Sequence, residues 1–178
     1  MAQTVTRYHP LLVALHWIVA LMITASLVGG LTLLQATPNS DPMKLVYLQG
    51  HMAGGVALGV LMLARLVTRL STAKPGPAAA GWKHRLARGV HWGMYLVIFA
   101  MLSTGIGMAV LGNLWPILTG NAVVLPRSFD VLPPHAGHEL FARVLIGLVL
   151  LHILAAVWHS FVGEAVMGRM WFGRRRAA

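Results

Sequence analysis

The chain has 178 residues, of which 57% are hydrophobic and only 10% charged, and it contains no cysteine. With a mean hydropathy of +0.72, this composition excludes an ordinary water-soluble domain, in which about a quarter of residues are charged. Iron–sulfur clusters are excluded by the missing thiols. The net charge of +10 lies beside apolar runs and carries no nucleic-acid motif, so anionic lipid headgroups rather than nucleic acid are its expected counterions.

Four uncharged windows follow in chain order, each about the 20 residues that a spanning helix needs. The first, Leu11 to Leu34, is too long for a signal-peptide core and lacks a small-residue cleavage site, so it is read as a retained helix. It carries His16. The second, Leu45 to Ala64, begins just before His51 and is expected to run on as helix to Leu70. A basic group follows: Arg65, Arg69, Lys74, Lys83, Arg85 and Arg88. The third window, Gly89 to Trp115, opens on His91 and Trp92. The fourth, Val144 to Gly163, is expected to start earlier, at about residue 135, because Pro133 and Pro134 suit a first turn and Glu139 suits a helix N-terminus. That extension brings His138 onto the same helix as His152. The connections read as short and polar, so residues 1–178 form one domain, an all-α integral membrane four-helix bundle with helices at about 11–34, 45–70, 89–115 and 135–163.

Orientation follows from the basic residues. Under an even number of spans, Arg7, the six residues of the basic group, and the tail Arg169, Arg174, Arg175 and Arg176 share one side. The other side has Lys44 and Arg127, with Asp41, Asp130 and Glu139 near them. The positive-inside rule therefore sets both termini in the cytoplasm.

Topology sorts the membrane histidines by depth. His138 and His152 are fourteen residues apart, nearly four helical turns and roughly 21 Å of rise, so they point the same way from opposite leaflets. His51 begins an inward-running helix and is outer; His16 begins an outward-running helix and is inner. Two leaflet-matched pairs result, His51 with His138 and His16 with His152. Each pair is drawn from two helices, an arrangement that clamps a flat macrocycle. Haem iron accepts imidazole on both faces, which closes the oxygen site and favours electron transfer. Without a C-x-x-C-H motif the haem is noncovalent, so two haem b groups are expected with these four histidines as iron ligands. Gly54, Gly55, Gly59 and Gly147 would let a porphyrin approach the backbone. Gly55 and Gly59 equally form a G-x-x-x-G packing motif, and both readings stand.

The other polar residues divide less sharply. His9 and His84 are expected to be solvated, and His91 and His159 to hydrogen-bond at the cytoplasmic interface, with a proton-relay role toward a quinone as the alternative for both. His135 and His138 form H-x-x-H, too few donors for a metal site. Trp17, Trp82, Trp92, Trp158 and Trp171 read as an inner aromatic belt and Trp115 as an outer one. Trp17 and Trp158 are also candidates to flank the inner haem or a quinone. Arg143, one turn after His138, needs a carboxylate at membrane depth; a haem propionate and Glu139 are its two candidate partners.

These residues resemble the prokaryotic cytochrome b561 family, four-helix dihaem membrane cytochromes related to the cytochrome b subunits of hydrogenases. The resemblance covers essentially the whole chain. It rests on Leu15-His16-Trp17, on His51 nineteen residues ahead of Leu70, on Arg65-Leu66-Val67-Thr68-Arg69-Leu70, on His91 with Tyr95, and on His138-Glu139 followed by His152. Gly137 departs from it, since family members often have tryptophan there. The resemblance implies His16, His51, His138 and His152 as haem ligands, ubiquinone as the electron acceptor and, in some members, superoxide as the donor, which would make the chain an oxidoreductase. An anionic donor would be drawn to Lys44, Arg127 or Arg143. The alternative is a haem-bearing anchor for a soluble dehydrogenase or hydrogenase, a reading that short loops disfavour. A histidine-box oxygenase would need clustered H-x-x-x-H motifs that this chain lacks.

Overall fold

The computed structural model describes residues 5–76, 81–162 and 166–173. The tail arginines Arg174, Arg175 and Arg176, and the expected end of the fourth helix at Gly163, lie outside the described residues. Four long helices carry the fold: α1 (Pro10–Gly29), α2 (Met43–Ser71), α3 (Gly81–Leu111) and α4 (Pro134–Phe161), followed by a single turn, α5 (Val166–Arg169). All four are long and apolar enough to cross a membrane, and among the described residues there is no β-strand. The protein is an all-α four-helix membrane bundle.

Helix ends follow local chemistry. Pro10 occupies the first turn of α1, where its missing N–H costs nothing, and His9 accepts the Leu11 N–H at 3.3 Å as the N-cap. His9, expected to be solvated, is thus a capping residue. The last turn of α1 widens into a π-helix at Gly30–Leu34. The carbonyls this leaves are taken by Lys44, whose ammonium donates to the backbone oxygens of Leu34 and, at 2.7 Å, of Thr37. Its side chain is buried beneath Phe129. Helix α3 starts eight residues before its apolar window, because Lys83, Arg85 and Arg88 continue the helix into the interface. It stops at Leu111, where Gly112 and the left-handed Asn113 (φ 48°) turn the chain.

Residues 112–133 correct the expectation of short polar connections. This segment contains 3-10 turns at Trp115–Thr119 and Phe129–Val131. It buries Leu114, Ile117 and Leu132, the first two packed with Leu48 and Ala109. Asn39 Nδ2 donates to Pro126 O at 2.8 Å, tying it to the α1–α2 connection. The connection is a packed apolar cap over the end of the bundle away from the termini, the end labelled outer from the sequence expectation and opposite the inner, terminal end.

Helix α1 packs along α2 and α3 along α4, while α2 meets α3 along a shorter seam. The bundle is therefore two hairpins facing each other. Its central core is Val19, Ile23, Leu58, Met62, Tyr95, Ile98 and Leu145. Leu145 lies seven residues from both His138 and His152, and Leu58 seven after His51. The core thus separates an outer polar level from an inner one. At the inner end the terminal segments meet: Tyr8 N–H donates to Arg169 O at 3.2 Å, and Arg7 donates to the carbonyls of Trp171 and Phe172.

Candidate haem-ligating site

Each hairpin contributes one imidazole to a facing pair at each level. At the outer level the rings of His51 (α2) and His138 (α4) have centroids 6.2 Å apart at 77°. At the inner level His16 (α1) and His152 (α4) repeat that geometry, 6.2 Å and 77°. The four histidines singled out by depth are brought together in the expected pairs. A bound metal lies about 2 Å from an imidazole nitrogen, which is itself about 1.1 Å from its ring centre, so two imidazoles opposed across one metal have centroids about 6.2 Å apart. Both pairs have that centroid spacing.

Neighbouring groups orient the His138 ring. His138 Nδ1 is 3.1 Å from the Met101 carbonyl and 3.2 Å from Thr104 Oγ1. Donation of the Nδ1 proton to that carbonyl leaves Nε2 as a lone pair, the tautomer a metal ligand needs. Gly105 of α3 lies against this ring: a Cβ there would stand in van der Waals contact, 3.4 Å from His138 Cε1. Beside His51 a cleft of about 340 Å³ opens between α1 and α2, lined by Gly29, Gly50, Gly54, Ser26 and Tyr47 among others. A Cβ on Gly54 or Gly147 would meet nothing within 4 Å, whereas one on Gly59 would rest against Leu102 at 3.6 Å. Of the two G-x-x-x-G residues, Gly59 packs against α3 and Gly55 faces open space.

The inner level holds more than its pair. His91 donates Nδ1–H to Ala87 O at 2.6 Å, and its ring lies 5.3 Å from that of His152. Arg65 reaches in from α2, buried, with Nη1 on Tyr95 Oη at 2.5 Å and Nη2 at 3.3 Å from His16 Nδ1. Reading the sequence assigned Arg65 to the surface charge asymmetry and missed it as part of this level. The signal was present: Arg65 follows His51 by fourteen residues, as His152 follows His138. The roles of Thr104, Gly105 and the Met101 carbonyl have no such signal, because they depend on where α3 crosses α4.

The remaining candidates are positioned as follows. Trp17 lies edge-on to His16, with centroids 5.3 Å apart, and donates its indole N–H to Met170 O at 2.9 Å, so it joins the inner level to the C-terminal segment. His159 is half-buried near the inner end of α4, and Trp158 is exposed. Arg143 forms an i,i+4 ion pair with Glu139 at 2.5 Å on the exposed side of α4. His135 pairs with Asp130 at 3.0 Å, and among the described residues no group of three metal-ligating side chains forms. Lys44 is spent on the Leu34 and Thr37 carbonyls. Of the three outer cations considered for an anionic donor, Arg127 alone is exposed and, among the described residues, outside any ion pair.

The family model for prokaryotic cytochrome b561 matches residues 7–173, a span that takes in all four long helices and both histidine pairs. No curated protein matches the chain.

Proposed function

The chain belongs to the prokaryotic cytochrome b561 family, which makes it a haem b membrane electron-transfer protein, and from that premise we propose that it carries electrons from an outer-side donor to ubiquinone across a bacterial inner membrane with both termini cytoplasmic. His51 with His138 and His16 with His152 hold two haem b groups. Held by imidazoles from two helices, haem b would supply a one-electron iron couple.

The observation that supports this reading is the repeated 6.2 Å spacing at two levels of one bundle. The protein's residues otherwise hold, orient and insulate. Met101 and Thr104 fix the His138 ring, and the core around Leu58 and Leu145 keeps water from the space between the levels. The cap at residues 112–133 covers the outer end and leaves Arg127 exposed to an anion. Superoxide is the donor proposed: each gives one electron and leaves as dioxygen, so two superoxide ions and two protons convert one ubiquinone to ubiquinol. His159 and Trp17 lie at the inner end, where the quinone headgroup is proposed to bind.

Stopped-flow mixing of the purified haem-loaded protein with superoxide, with and without a soluble ubiquinone, tests this. Haem reduction faster than superoxide's own dismutation, followed by quinone-dependent reoxidation, is expected. A protein that superoxide leaves oxidised, yet that copurifies with and is reduced by a soluble dehydrogenase, would overturn the donor assignment.

A further inference from the structure

The two histidine levels differ in what stands behind the ring. At the outer level His138 Nδ1 faces a carbonyl, Met101 O, at 3.1 Å. At the inner level His16 Nδ1 faces the Nη2 of Arg65 at 3.3 Å. A carbonyl accepting the Nδ1 proton makes an imidazole a stronger electron donor and favours oxidised iron. A guanidinium is always charged and offers only N–H groups, and beside the ring it favours the added electron.

Arg65 is built into this place. Its helix has the same spacing as α4, so residue 65 returns to the face that residue 51 presents, four turns further in. The residue is 8% exposed. Tyr95 holds it by the 2.5 Å hydrogen bond to Nη1, with the guanidinium carbon 5.2 Å from the ring centroid. No carboxylate pairs with Arg65 among the described residues, and its Nε has no hydrogen-bond partner there. A buried charge in a low-dielectric spanning helix acts strongly on any nearby change of charge.

We propose that Arg65, held by Tyr95, is a positioning residue that sets the direction of electron flow by raising the reduction potential of the inner haem above that of the outer one. This rests on the assignment of His16 and His152 as one haem's ligands. With Nε2 turned to iron, His16 Nδ1 carries the ring proton. Arg65 then acts on that ring through its charge and gives its hydrogen bond to Tyr95.

The test is potentiometric titration of the haem-loaded protein, followed optically, for the unaltered chain, Arg65→Gln, Arg65→Lys and Tyr95→Phe, with haem counted in each. Arg65→Gln is expected to lower one of two midpoints by at least about 59 mV, a tenfold change in a one-electron equilibrium, and to leave the other unmoved. Arg65→Lys should retain most of the higher midpoint, and Tyr95→Phe should lower the same midpoint by less. Two unmoved midpoints, equal shifts in both, or a rise in either would overturn the inference. Should Arg65→Gln fail to hold its inner haem, the lysine and phenylalanine variants decide: an inner midpoint unchanged in Tyr95→Phe and lowered fully in Arg65→Lys means the charge is not what acts. A haem count below two in the unaltered chain would instead overturn the ligand assignment beneath it.

Discussion

Gly54 separates a glycine that packs helices from one that clears space for a cofactor. It lines the cleft beside His51, and a Cβ built on it meets no atom within 4 Å. Replacing it with leucine should therefore leave the helices undisturbed and add about 1 kcal/mol of helix propensity. If the cleft receives the outer macrocycle, the same side chain overpacks the loaded site by about 1–3 kcal/mol, weakening haem retention about 5- to 160-fold. Gly59→Leu is the control: its Cβ already contacts Leu102 at 3.6 Å, so its branch must displace α3 and lower the melting temperature. Haem transfer to excess apomyoglobin, read beside thermal unfolding in detergent, distinguishes them. Gly54→Leu should release one of two haems faster with an unchanged or higher melting temperature. Equal haem release from both variants, with parallel losses of stability, would refute the reasoning.

Other substitutions probe other links. Lys44→Met leaves the Leu34 and Thr37 carbonyls without their charged donor and should cost about 2–3 kcal/mol in thermal unfolding, with both haems retained. Gly105→Ala presses a Cβ to 3.4 Å from His138 Cε1; it should alter the low-spin electron paramagnetic resonance signal of one haem only, while Gly105→Leu should lose that haem. Since the chain has no cysteine, Arg127→Cys and Lys74→Cys report topology cleanly. A membrane-impermeant maleimide should label the first and spare the second in intact cells, and the reverse pattern would invert the proposed orientation.

What the sequence made legible was what periodicity and burial cost enforce. A charge-free window in lipid has few structural options, so the four helices were readable, and the fourteen-residue gap on the last helix followed from helix geometry alone. Boundaries failed where charge and helix coexist: Lys83, Arg85 and Arg88 end a hydropathy window without ending α3. The cap at residues 112–133 was misread because Leu114, Ile117 and Leu132 are scattered among turn residues, and only the meeting of α2 and α3 shows what they cover. Arg65 was hidden by its neighbours. Counted with Arg69 and Lys74 it looks like surface charge, and its burial becomes visible once Tyr95 and His16 are known to face it.

The central claim, two bis-histidine haems on one bundle, is tested most directly by haem quantification with an optical spectrum of the purified protein, its His138→Ala variant and its His152→Ala variant. Two low-spin haem b per chain are expected, falling to one in each variant, with a different haem lost in each. A single haem in the unaltered chain, or both haems retained when either histidine is removed, would contradict it.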